Sequence, residues 1–144
     1  MTVPEEIEQL KIKLEQTADE KEQAEILLEL LRKYRSIRST KSQPGIDRLL
    51  QLAEKLNEPL YKAWGLFHLA ALKKNKGEYN SSIDLSQQAL SLFEETRLPD
   101  GQVGEKDGIA SSYNNIGAVY FLQGNYPEAL KNHFAALKIR EEIG

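Results

Sequence analysis

The sequence predicts an all-α fold, a solenoid of stacked helix hairpins, on three observations. Apolar residues recur at three- and four-residue steps almost throughout, the period of a helix with one buried face. No stretch alternates polar and apolar residues for long enough to suggest a strand. The chain also repeats itself. A shift of 47 residues lays Leu69 on Ile116, Ala71 on Ala118, Gly77 on Gly124, Tyr79 on Tyr126, Ala89 on Ala136 and Leu92 on Ile139. A shift of 40 lays LLQLAEKL (49–56) over ALSLFEET (89–96). The unit is therefore a helix pair of about 40 residues, and a long loop lengthens one copy. Repeated pairs of this kind bury their apolar faces on one another, which is how an α-solenoid is built.

The elements follow in order. Ile7, Leu10 and Leu14 give the stretch 4–16 a helical stripe. Thr17 and Glu20 form a T-x-x-E capping box and predict the start of a second helix. That helix carries Ala24, Leu27, Leu28, Leu31 and Tyr34, and Pro44-Gly45 is expected to punctuate it. A third helix is expected over about 45–56 and a fourth over 60–75, with Asn57-Glu58-Pro59 between them. Gly77 ends the fourth, and a fifth covers about 80–96. RLPDGQVGEKDG (97–108) reads as the one long loop, with three glycines and a proline. Helices are then expected over about 109–122 and 127–142, with Pro127 in the first turn, where its missing N–H is harmless. The reading is one domain over 1–144: an N-terminal helix (4–16), a degenerate first repeat (20–56), a second (60–96), the loop, and a third (109–143).

One feature of the third repeat runs against helix propensity. Gly117 sits inside an apolar helical pattern and costs about 1 kcal/mol relative to alanine there. Close approach of two helices explains it: Gly117 and Ala129 are expected to touch, with Tyr113, Ile116 and Tyr120 around them. Gly124 suits a turn that needs positive φ, and Ala136 is expected to pack on a next unit.

Composition narrows the function classes. Lysine and arginine number 19 against 22 acidic residues, so the net charge of −3 creates no general attraction to nucleic acid or to a membrane surface. Cysteine is absent, which removes disulfides, thiolate metal sites and cysteine nucleophiles. No apolar run reaches the roughly 20 residues that span a bilayer. The start, MTVPEEIEQLKIKLEQ, is charged and amphipathic, unlike a signal peptide. The expectation is a cytoplasmic protein.

The order Tyr113, Ile116, Gly117, Tyr120, Gly124, Tyr126, Ala129, Ala136 resembles the tetratricopeptide repeat. His133 stands in for an aromatic of that motif and Glu141 for a proline. Leu66, Leu69, Ala70, Gly77, Tyr79 and Ala89 make a weaker copy, from which Lys73, Ser82 and Ser86 depart. The first copy is recognisable mainly by position and by LLQLAEKLNEP. The resemblance implies a right-handed solenoid of about three such hairpins plus an N-terminal helix. DGIASSYNNIGAVYFLQGNYPEAL and ALKIREEIG further resemble the repeat arrays of bacterial signalling proteins, which implies a regulatory or sensory module. In those arrays the phrase after EEIG runs into another repeat, so the chain is expected to be a piece of a longer one.

The resemblance also implies where a partner binds. The first helix of each repeat lines a concave groove, so Trp64, Phe67, His68, Ala71 and Lys74 of the second repeat are groove candidates. Ser111, Asn114, Asn115, Ala118, Phe121 and Leu122 are those of the third. The expected ligand is a protein or peptide lying on aromatic and amide side chains. Packing of Trp64 and Phe67 against the first helix of the neighbouring copy is the competing reading. Lys74 is the only cation in the set, so a clamp for a C-terminal carboxylate is not expected. Self-association or domain spacing is the alternative role.

Other chemistry is thinly represented. His68 and His133 are the only histidines, and neither has metal-ligand neighbours at suitable spacing. No catalytic set, metal site or cofactor is expected. GQVGEKDG has glycines without a preceding strand; a flexible connection is the favoured reading of the loop and a contact loop the other. Arg32, Arg35 and Arg38 recur every third residue, flanked by Lys33 and Lys41. An anion site is one reading; a solvated helix end, where cations complement the dipole, is the favoured one.

Overall fold

The computed structural model describes residues 1–144. Seven helices follow in order: α1 (Val3–Gln16), α2 (Glu20–Ser36), α3 (Gln43–Lys55), α4 (Pro59–Asn75), α5 (Tyr79–Glu95), α6 (Lys106–Leu122) and α7 (Tyr126–Ile143). Each packs against its neighbours in sequence, and beyond that only α2 meets α4 and α4 meets α6. A closed bundle would bring first and last helices together. Here α2, α4 and α6 form one layer, α3, α5 and α7 the other, and the chain is an open α-solenoid.

The caps explain the helix starts and show where motif reading goes astray. Asp19, not Thr17, caps α2: its carboxylate accepts from the Glu22 N–H at 3.0 Å. Thr17 is already committed to α1, donating its hydroxyl to the Lys13 carbonyl at 2.6 Å. Asp serves as N-cap as well as Thr does, so the residue nearer the helix takes the role. Pro44 and Gly45 do not break the chain but lie in the first turn of α3, where proline is preorganised. The expected loop is also shorter. Lys106, Asp107 and Gly108 belong to α6, capped by the Glu105 carboxylate on the Asp107 N–H at 3.0 Å. The remaining loop closes through an isolated bridge between Arg97 and Val103.

Four helices end alike. After α2, α3, α4 and α6 the next residue but one has positive φ, and two backbone bonds close the end in the Schellman manner. In the last two that residue is Gly77 (φ 78°) or Gly124 (φ 79°). In the first two it is Arg38 or Asn57, each at φ 53°. Asparagine visits this region readily; arginine does not.

The core is uneven. Leu27, Leu30, Leu31, Ile46, Leu49 and Leu52 fill the α2–α3–α4 region. A second, smaller cluster gathers Ala63, Phe67, Ala89 and Phe93. Toward α6 the interface becomes small and polar: Asn115 donates its amide to the Ser82 and Ser86 hydroxyls at 3.0 and 2.8 Å. Ser82 in turn donates to the Ala70 carbonyl at 2.7 Å, linking three successive helices.

Gly117 has a different partner from the expected one. A Cβ there would come within 2.9 Å of His133 Nε2, so the glycine makes room for an imidazole and not for Ala129. His133, in the aromatic's place, fills the space a methyl at Gly117 would take, with Nδ1 3.1 Å from the Asn114 side-chain oxygen.

Candidate functional site

The inner layer holds an open cavity of about 540 Å³ between α2, α4, α6 and α7. It exists because these helices present short residues at the right turns: Ala71 on α4, Ser111 and Ala118 on α6. Nine of the eleven groove candidates border it. Phe67, Ala71 and Lys74 come from α4, and Ser111, Asn114, Asn115, Ala118, Phe121 and Leu122 from α6.

Trp64 and His68 lie elsewhere. Trp64 packs edge-on against Phe93, centroids 4.7 Å apart, and against Phe67 at 5.7 Å. It is a partly buried side chain packed between α4 and α5, one turn before the groove residues. His68 is 6% exposed and sits over a separate small recess beside Leu31 and Leu72. Burial holds its pKa down at about 3, with the Arg35 and Arg32 charges adding to the effect, so it is neutral. Asn115 borders the cavity, yet its amide N–H groups are occupied by Ser82 and Ser86. Its first role is to join helices.

The groove candidates held a single cation, Lys74, and the cavity holds more. Arg35, Arg38 and Arg140 line the same cavity as Lys74. The arginine stripe of α2 is thus not only a solvated helix end. Arg35 crosses the Phe67 ring, its guanidinium carbon 5.1 Å from the centroid, an arrangement that suits a cation over an aromatic face. Burial lowers the pKa of Arg35, and Arg32 and Arg140 press it the same way while Asp107 opposes them. Burial likewise lowers that of Lys74, helped by Arg35 and Arg38. Arg140 pairs with Asp107 and donates to the Ser111 hydroxyl at 3.2 Å.

A signal for these residues is present in the repeat itself. Superposing the C-caps Ile37 and Lys76 aligns Arg35 with Lys74 and Arg38 with Gly77, which carries the groove register back into the first copy. Arg140 had no such signal, because it reaches the cavity from the second helix of its pair. Nothing in this set gathers a nucleophile, a base and an oxyanion donor.

Comparison with known proteins agrees with the architecture. Residues 110–142 match the family model of the tetratricopeptide repeat, which covers α6 and α7 almost entirely. Among solved structures, BtubC (BKLC) from P. vanneervenii is similar at TM-score 0.63 and 17% identity, over 84% of this chain and 48% of that one. This chain therefore spans about half the length of that protein, and at such identity the likeness concerns the fold. No curated protein matches the sequence. No helix is long and apolar enough to cross a membrane. Tetratricopeptide repeats generally serve as protein-interaction scaffolds. With its last helix pair matching the repeat and the earlier pairs stacked on it in one solenoid, the chain is like a tetratricopeptide-repeat protein in fold.

Proposed function

We propose that the chain is a non-catalytic scaffold that holds a segment of another polypeptide in the α2–α4–α6 groove, as one domain of three repeats. The same reading makes it a cytoplasmic regulatory module of a bacterial signal-transduction protein. The observation that carries the first statement is the cavity itself. It joins exposed apolar side chains, Phe121 at 58% and Leu122 at 53%, to Ser111, Asn114 and a set of cations on one wall. A peptide needs this mixture: apolar contacts for its side chains and polar groups for its backbone.

Ala118→Trp tests it by filling the groove from a half-buried position. Titration of the labelled chain with a random-sequence peptide pool should shift amide resonances of Asn114, Ala118 and Phe121, and the variant should lose those shifts. Shifts confined to α7, unchanged in the variant, would place the binding surface elsewhere.

A second reading has its own support. On α7, Leu130, Phe134 and Leu137 are 57%, 64% and 52% exposed and share one helix face. Such a patch favours self-association. Sedimentation across a range of concentrations decides: a dimer that Phe134→Ser dissociates would make this a structural module.

A further inference from the structure

The groove concentrates positive charge and offsets only part of it, through Asp107. The six ion pairs of the chain include none of Arg35, Arg38 and Lys74, although all three border one cavity. Arg140 adds a fourth cation, and Asp107 is the one carboxylate paired there. Like charges held together raise the energy of the empty site, and a bound anion relieves it. Arg38 bears a second cost. Its φ of 53° lies where the later repeats use Gly77 and Gly124, so a side chain is kept at a position whose backbone favours none. Arg35, Arg38, Lys74 and Arg140 border one cavity instead of being strung out along a surface track. A nucleic-acid backbone, which is met by a run of cations, does not fit that pattern.

We propose that this cluster binds a phosphate monoester carried by the polypeptide segment in the groove, so that the scaffold recognises a phosphorylated partner. The inference rests on the peptide-groove reading. A phosphate monoester carries a charge of about −2 and three acceptor oxygens in a volume little larger than a carboxylate. Two guanidinium forks and an ammonium group match that density better than they match a single carboxylate. Arg35 is preset by the Phe67 ring beneath it. Ser111 and Asn114 on the facing helix supply further polar contacts beside the phosphate. The exposed Phe121 and Leu122 then take the neighbouring side chains of the segment.

The test uses the whole chain and three fluorescent peptide pools, alike except for a fixed phosphoserine, serine or glutamate. Anisotropy should show the phosphoserine pool bound at least about tenfold more tightly than the serine pool, the scale of one charge-assisted hydrogen bond. Phenyl phosphate should compete. Arg35→Ala and Lys74→Gln should each remove most of the preference, while Lys62→Ala, an exposed cation outside the groove, should leave it intact. Arg38→Gly is the sharpest variant, because it should weaken phosphopeptide binding while raising the melting temperature. A loss of binding there cannot come from misfolding. Equal affinity for the phosphoserine and serine pools would overturn the phosphate assignment and leave the groove reading standing. Glutamate binding as tightly as phosphoserine would reassign the cluster to acidic segments. Phenyl phosphate binding without any preference among the pools would reassign it to a free anion. No binding of any pool would overturn both readings.

Discussion

The α2–α3–α4 interface and the α5–α6 interface solve the same packing problem with different materials. The first is filled by leucine and isoleucine: Leu27, Leu31, Ile46, Leu49 and Leu52 are at most 1% exposed. The second is built from short residues, with Ser82, Ser86, Ala89 and Ser112 all at 0%. Asn115 reaches across it to two hydroxyls. Branched aliphatic side chains stabilise by volume and area but fix register only through shape. Hydrogen bonds between short side chains contribute less net energy each, yet they are satisfied in one alignment only. The polar interface lies directly under the groove, where α6 must be held at a set height for Ser111, Asn114 and Ala118 to face Arg35 and Lys74. The aliphatic one packs α3 behind α2 and α4, where volume suffices.

The largest expected effect is on the aliphatic side. Leu49→Ala should lower the unfolding free energy by about 3–5 kcal/mol, the range for a leucine deleted from a packed core. Urea denaturation followed by helical circular dichroism reads it directly. Asn115→Ala should cost about 1–3 kcal/mol, the penalty for leaving the buried Ser86 hydroxyl without a partner. It should also disturb amide resonances in α4 and α5, through Ser82 and the Ala70 carbonyl. An Asn115 effect larger than that of Leu49 would break the contrast between the two interfaces. Purely local spectral changes would show that the polar link does not set register.

Much of this was legible beforehand, and the limits have physical reasons. Helical periodicity, first-turn prolines and the glycines at 77 and 124 locate the helices because each reports local geometry. Gly108 was legible only as a loop glycine. It is in fact a helical close approach, where a Cβ would lie 2.3 Å from the buried Phe93 ring. Such contacts belong to tertiary packing and leave no local signature. The same holds for His133 over Gly117. The resemblance assigned Phe67, Lys74 and Asn114 to the inner layer, and they border the cavity, but it does not separate the inner edge from the seam with α5, where Trp64 lies. Charges three residues apart on α2 are compatible with solvent or groove until α4 and α7 are positioned beside them.

His68 lies on the α2 side of α4, beside Leu31 and Leu72, a buried polar group with no anion to offset its charge. Its pKa of about 3 in the fold lies below the ordinary value near 6.5. The unfolded chain therefore takes up the proton first as pH falls. Stability is complete above about pH 6.5 and declines toward pH 3, by up to about 1.4 kcal/mol per pH unit. Arg35 and Arg32, which face the imidazole from α2, act in the same direction as its burial. His68→Gln should flatten this part of the pH–stability curve, measured as urea midpoints from pH 7 to pH 4.5. An unchanged slope would assign the acid sensitivity to carboxylates instead.

The smallest effect compares the first helix end with the last. Arg38 and Gly124 occupy the same place in the same backbone motif, at φ 53° and 79°. Left-handed backbone costs a non-glycine residue about 1–2 kcal/mol. Glycine returns about 0.5–1 kcal/mol of that through the greater freedom it gives the unfolded chain. Arg38→Gly should therefore stabilise by roughly 0.5–1 kcal/mol, about 2–4 °C in melting temperature for a chain of this size. Gly124→Ala should destabilise by a similar amount, since no neighbouring atom lies within 4 Å of its added Cβ to complicate the comparison. Opposite signs of similar size would show that backbone strain alone separates the two ends. A destabilising Arg38→Gly would mean that the arginine side chain holds α2 against α4, and that its place at the groove is structural before it is functional.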